Sequence, residues 1–232
     1  MNRRSFVQSI CAISGLSIQC EAEQASTATP QIAIVNQSAT KITQDMVDAV
    51  QKQLNQHFAP VWGRAASLRL ITDGATPAPE EIVCLAMEND EMSGLLGCHS
   101  CGTDGKPFLR LYARNIASYG QTISSVLSHE CMETLINPTA NAFVLVDSGR
   151  GTGNLYNLEV CDPVERNYYQ INGIEVSNFV TPRFYLNAAP APYDYLSALT
   201  APLTPAAGGY LPMRQIGGLP SLFGDKSRLV RR

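Results

Sequence analysis

The chain has 232 residues, of which 45% are hydrophobic and 16% charged, enough apolar material for one well-buried core and a tight fit for two. Its formal net charge of -3 and the absence of a long basic run leave no electrostatic footprint for a phosphate backbone, which sets nucleic acid aside as a partner.

Arg3 and Arg4 precede an apolar stretch from Phe6 to Ile18, and small or polar residues follow from Glu21 to Thr29. That is the order of a secretory signal, and the stretch falls short of the roughly 20 residues that a membrane-spanning helix needs. Residues 1–28 are therefore read as a signal peptide. Arg3-Arg4-Ser5-Phe6-Val7 resembles the twin-arginine type, whereas Gln19 before Cys20 departs from a lipoprotein box. Export to the periplasm or the extracellular space is expected, with no membrane span in the mature protein. Residues 31–232 then form one domain.

Within it, Gln31 to Val35 reads as a buried strand. Thr43 can cap a helix through about Phe58, because Met46, Val47, Val50, Leu54 and Phe58 recur at helical spacing; Pro60 is expected to end it. Leu68 to Ile71 and Ile82 to Met87 read as two further strands, and Phe108 to Tyr112 as a half-exposed one at a sheet edge. A second helix is predicted from about Thr122 to Ile136, stopped by Asn137-Pro138. Asp147 to Asn157 reads as a loop, Asn157 to Val160 as a short extended piece, and Tyr168 to Val180 as a hairpin around Asn172-Gly173. From about residue 182 Pro, Gly, Ala and Tyr dominate, and coil packed on the domain is expected.

Once Cys11 and Cys20 leave with the signal, Cys84, Cys98, Cys101, Cys131 and Cys161 remain, an odd set that cannot all pair within the chain. Cys98-His99-Ser100-Cys101 has the spacing of half a zinc site or of a short-loop disulfide. No second Cys-x-x-Cys completes a structural zinc site, so a disulfide or plain thiols are favoured in an oxidising compartment.

The second helix carries the chemistry. Ile123, Val126, Leu127, Met132, Leu135 and Ile136 surround it with apolar side chains, and a helix apolar all round is buried. It nevertheless contains His129, Glu130 and Glu133. Burying an unpaired carboxylate costs several kcal/mol, so a cation or a wet cleft must compensate. Residues four apart share a helix face, so His129 and Glu133 can converge on one ion. Glu130 lies about 100° further round, where it can reach a water at the metal and act as general base. A third ligand is sought in Leu158-Glu159-Val160-Cys161-Asp162-Pro163-Val164-Glu165. Glu159 is the expected ligand, with Asp162 a supporting or alternative one, and His99 a further candidate at the cleft edge. One divalent metal is implied, zinc first, with manganese, iron and calcium less excluded by a His-Glu-Glu set than by a histidine-rich one. His57 reads as a helix-end packing residue, Trp62 as a packing aromatic, and Tyr168, Tyr169 and Tyr185 as core aromatics rather than oxyanion donors.

Several segments together carry a resemblance: Phe58-Ala59-Pro60-Val61-Trp62-Gly63, Gly97-Cys98-His99, Ser128-His129-Glu130 with Glu133 and Asn137-Pro138, the 158–165 segment, Val176-Ser177-Asn178-Phe179-Val180 and Gly208-Gly209-Tyr210. They resemble a group of bacterial and phage-associated proteins with a zincin-like (matrixin-like) metallopeptidase core and a His-Glu-x-x-Glu variant of the His-Glu-x-x-His motif. The resemblance implies an α+β fold: a mixed twisted sheet with a helix before it and an active-site helix after it, then a loop-rich C-terminal segment. It also implies a site at His129, Glu130, Glu133, Glu159 and Asp162. Zincins proper carry histidine at the position of Glu133, and aspartate is expected where this chain has Asn137. A metal-dependent hydrolase acting on peptide or protein is the leading expectation; the rival is a secreted binding or structural protein that a metal only stabilises.

Overall fold

The computed structural model describes residues 29–72, 74–89, 94–147, 153–187, 189–215 and 220–225. The expected signal, residues 1–28, lies outside them. In chain order the elements are β1 (Gln31–Asn36), α1 (Gln44–Lys52), a π-helical segment (Gln53–Phe58), α2 (Ala59–Trp62), β2 (Ser67–Leu70), β3 (Ile82–Met87), β4 (Gly97–Cys101), β5 (Pro107–Tyr112), α3 (Ala113–Ser118) and α4 (Ile123–Ile136). Then follow β6 (Phe143–Asp147), β7 (Gly153–Asn157), a 3₁₀ turn (Asp162–Val164), β8 (Tyr168–Ile171), β9 (Ile174–Ser177), a second 3₁₀ turn (Pro182–Tyr185), β10 (Tyr210–Gln215) and β11 (Pro220–Gly224). The fold is α+β. No helix among the described residues is long and apolar enough to cross a membrane.

The main sheet has the order β2-β1-β3-β5-β4; β4 runs antiparallel to β5 and the other pairings are parallel, so the sheet is mixed. Ile32, Ala33 and Ile34 of β1 are fully buried on both faces, as an inner parallel strand requires. The expected edge position of Phe108 to Tyr112 is corrected: β5 lies between β3 and β4, and Leu109 and Leu111 are buried. The misleading polar residue is Arg110, whose guanidinium folds back over the Phe108 ring at 4.9 Å. The outer strand is β4, whose Gly-Cys-His-Ser-Cys sequence has no apolar alternation to announce it.

Thr43 caps α1, its Oγ1 accepting from the Met46 N–H at 3.3 Å. The helix does not stop at Pro60. It widens into the π turn and continues as α2, with Pro60 in the first turn of that segment. Gly63, with φ 72°, ends it. Phe58 is fully buried beneath Phe179, the ring centroids 5.1 Å apart edge to face. Phe58→Ala is expected to cost about 3–5 kcal/mol, read from the shift of the denaturant midpoint at unchanged m-value.

α4 begins at Thr122, whose Oγ1 accepts from Ser125 N–H at 3.2 Å. It lies between the β4–β5 edge of the sheet and the β8–β9 hairpin, which turns at Asn172-Gly173 with φ of 53° and 80°, the left-handed pair of a type I′ turn. Ser128 Oγ accepts from the Ser177 N–H at 2.7 Å and pins helix to hairpin.

A second, antiparallel sheet, ordered β11-β10-β7-β6, replaces the loop expected at Asp147 to Asn157 and part of the expected coil. The described residues between the second 3₁₀ turn and β10 are coil, organised by buried Asp194, which accepts N–H groups from Leu196, Ala198 and Leu199 and the Asn178 amide.

Candidate metal centre

One turn of α4 puts His129 above Glu133, with His129 Nε2 3.1 Å from Glu133 Oε2. Glu130, buried and rotated round the helix, faces β4 at Gly97. A Cβ at position 97 would stand 2.6 Å from Glu130 Oε1 and 2.9 Å from Val126 Cγ1, so glycine is what lets strand and helix close over the carboxylate.

The chain leaving β7 supplies the opposite wall. The N–H groups of Cys161 and Asp162 donate to Glu133 Oε1 at 3.0 and 3.3 Å, where the first 3₁₀ turn begins. Asp162 Oδ1 lies 3.4 Å from His129 Nε2. Glu159 Oε1 accepts from the Asn137 and Asn157 amides at 3.1 and 3.0 Å. Its other oxygen, Oε2, is buried and makes no hydrogen bond; His99 Nε2 is 3.5 Å away.

His99, at the centre of β4, completes the cluster. Its Nε2 is 3.0 Å from the Asn137 carbonyl oxygen, while Nδ1 is 3.4 Å from Glu130 Oε2 and 3.7 Å from Glu133 Oε2. His129, Glu130, Glu133, Glu159 and Asp162 thus border one cavity of about 300 Å³ together with His99, Asn157 and Tyr210. Glu159 and Asp162 divide between the imidazoles: His129 pairs with Glu133 and Asp162, whereas Glu159 pairs with His99. Two groups of metal-capable atoms, each within 4.8 Å of one another, share Glu133: His129 with Cys161, and His99 with Glu159. The sequence signal for His99 is the period of a strand, which sets it on the face of β4 that Gly97 turns towards Glu130.

Burial opposes charge on both histidines, but the carboxylates outweigh it. The Glu130 contact and the charges of Glu159 and Glu133 raise His99 to about 9, and Glu133 with Asp162 raises His129 well above its usual value. Burial pushes the Glu130 carboxyl up, and burial with the neighbouring Glu133 charge pushes Glu159 well up. Burial also acts on Glu133, yet the His129 charge and hydrogen bond prevail and hold it below the usual range. This is an anionic pocket short of positive charge.

The remaining candidates pack or support. His57 stacks on Tyr169 and Tyr195 and contacts the Tyr169 hydroxyl at 3.0 Å. Trp62 Nε1 donates to the Val180 carbonyl at 2.8 Å, and the Tyr185 hydroxyl donates to the Glu159 carbonyl at 2.8 Å. The five described cysteines are free thiols, Cys98 and Cys101 included.

Asn137 stands where aspartate was expected, and its contacts explain the exchange. Its Oδ1 accepts from the Asn141 and Ala142 N–H groups while its amide donates to Asn157 and Glu159. Aspartate can do the first and not the second. Asn137→Asp is expected to cost about 1–3 kcal/mol, measured by thermal unfolding at neutral pH.

Comparison of the chain with protein-family models, with curated proteins and with solved structures returns no match.

Proposed function

We propose that this chain is a metal-dependent hydrolase, most simply a peptidase, with an exported zincin-like domain. The observation that carries the reading is a charge deficit. The carboxylates of Glu130, Glu133, Glu159 and Asp162 and the imidazoles of His99 and His129 line one cavity, and among the described residues no lysine or arginine borders it. Ionising all four carboxylates beside only two imidazoles would cost several kcal/mol, which is why burial drives the Glu130 and Glu159 carboxyls up; a bound cation would let them ionise.

The donor set fits a divalent cation. Two ligands each about 2.1 Å from one ion lie about 3.0–3.4 Å apart at ordinary bond angles, which is the spacing of His129 to Glu133 and Asp162, 3.1 and 3.4 Å. His129 and Glu133 would hold the ion, with Asp162 nearer to His129 than the expected Glu159. Imidazole and carboxylate donors suit zinc and admit manganese or iron. When bound, the cation supplies a charge that polarises a substrate carbonyl and acidifies water.

Glu130 takes the proton of the attacking water. Burial raises its affinity for a proton, which strengthens a general base, and its Oε2 lies 3.4 Å from His99 Nδ1. Peptide is the substrate class favoured because β4 is the outer strand of the main sheet and its His99 borders the cavity. An extended chain paired along β4 passes over Glu130.

The test is metal analysis of the purified full chain together with cleavage of a broad peptide library. Bound metal and cleavage that chelation abolishes support the hydrolase. Chelation that lowers the melting temperature of a protein with no turnover points to the metal-stabilised binding protein instead, and absence of metal rejects both.

A further inference from the structure

We infer that the cavity holds two divalent cations, bridged by the Glu133 carboxylate, with His99 and Glu159 as ligands of the second. The inference rests on the metal-centre reading above and goes beyond its single ion.

Glu133 is placed as a bridge. Its Oε1 is fixed by the backbone N–H groups of Cys161 and Asp162, which leaves Oε2 aimed between two imidazoles on different elements, 3.1 Å from His129 Nε2 and 3.7 Å from His99 Nδ1. The remaining donors segregate to the two sides. Asp162 approaches His129, whereas Glu130 approaches His99 at Nδ1 and Glu159 approaches it at Nε2, and His99, Glu133 and Glu159 each offer a ligand atom within 4.8 Å of the others. The metal-capable atoms thus fall into two groups that share only Glu133.

His99 has the arrangement of a metal ligand. A carbonyl oxygen only accepts, so the 3.0 Å contact of Nε2 with Asn137 O places the hydrogen on Nε2. That leaves Nδ1, 3.4 Å from Glu130 Oε2 and 3.7 Å from Glu133 Oε2, as the nitrogen that a cation would take in exchange for its proton. An N–H held by a backbone carbonyl is how ligating histidines are oriented. Glu159 supplies an independent observation: it is 4% exposed, its Oε1 is anchored by two asparagine amides, and its buried Oε2 makes no hydrogen bond. One carboxylate oxygen is thereby oriented and the other is left for a ligand.

The cavity of about 300 Å³ has room for two ions and several waters, each water taking about 30 Å³.

The full-length protein, stripped with chelator and dialysed against zinc or manganese chloride, is expected to retain two equivalents per chain by elemental analysis. The manganese form is expected to show the exchange-coupled magnetic resonance spectrum of ions about 3.5–4 Å apart, a readout that needs no variant. His99→Asn is expected to lose one equivalent and the coupling while keeping the near-ultraviolet circular dichroism of the native fold. One equivalent with an uncoupled spectrum overturns the second site and leaves the single-metal hydrolase standing. No bound metal overturns both. Two uncoupled equivalents, unchanged in His99→Asn, overturn the bridged assignment.

Discussion

Glu130→Gln is expected to slow hydrolysis by about 10²- to 10⁴-fold, the range that a general base contributes, while leaving fold and metal content unchanged. Glutamine has nearly the volume of glutamate, so it fills the same space against Gly97. It lacks the lone-pair basicity to take a proton from water. Because Glu130 is the carboxylate beside neither Asp162 nor the backbone donors of the 3₁₀ turn, its loss spares the His129–Glu133 pairing at 3.1 Å. The effect should therefore fall on kcat, with KM nearly constant. His129→Ala, in contrast, removes a ligand and should lose metal along with activity. An unchanged rate in Glu130→Gln rejects the residue as base, whatever its position in the cavity.

The parts of this site that are legible in sequence are those fixed by local geometry. An α-helix dictates that residues four apart share a face, so His129 and Glu133 are predictable partners, and the apolar surroundings of α4 imply that their charge is compensated. The acidic run after β7 is visible as composition, but which carboxylate reaches His129 is not. A 3₁₀ turn that begins at Asp162 and contains Pro163 carries Asp162 under the helix, whereas two asparagine amides turn Glu159 towards His99. His99 itself is obscured because β4 has no alternating apolar side chains; it is a strand by virtue of its pairing with β5. The second sheet is hidden for the same reason at longer range: β7 is rich in Gly and Asn and gains its partner β10 only from far downstream. Helix spacing is written within a few residues, whereas strand pairing is decided by the rest of the chain.

Metal-free protein is expected to lose stability as pH rises from about 6.5 to 9, and a bound divalent cation is expected to remove or reverse that slope. Unfolded histidine titrates near 6.5. His99, opposed by burial but held by Glu130, Glu159 and Glu133, is raised to about 9. The folded state thus keeps a proton that the unfolded chain has released. Its contribution is complete below about 6.5 and is lost as pH climbs through about 9. His129, raised against burial by Glu133, acts with the same sign. Burial raises Glu130, and burial with the Glu133 charge raises Glu159, so both withdraw stability as pH rises above the unfolded carboxylate range. Glu133, lowered by His129 despite burial, works the other way, adding stability above that range and losing it as pH falls. Each proton held only by the folded state gives a slope of about 1.4 kcal/mol per pH unit. Metal ligands must shed these protons, so binding releases them and tightens with pH. Thermal unfolding of stripped and metal-loaded protein across this range should therefore diverge, with the largest difference at the alkaline end. A stripped protein whose melting temperature stays flat would show that the cluster carries no such strain, and the charge deficit would no longer call for a cation.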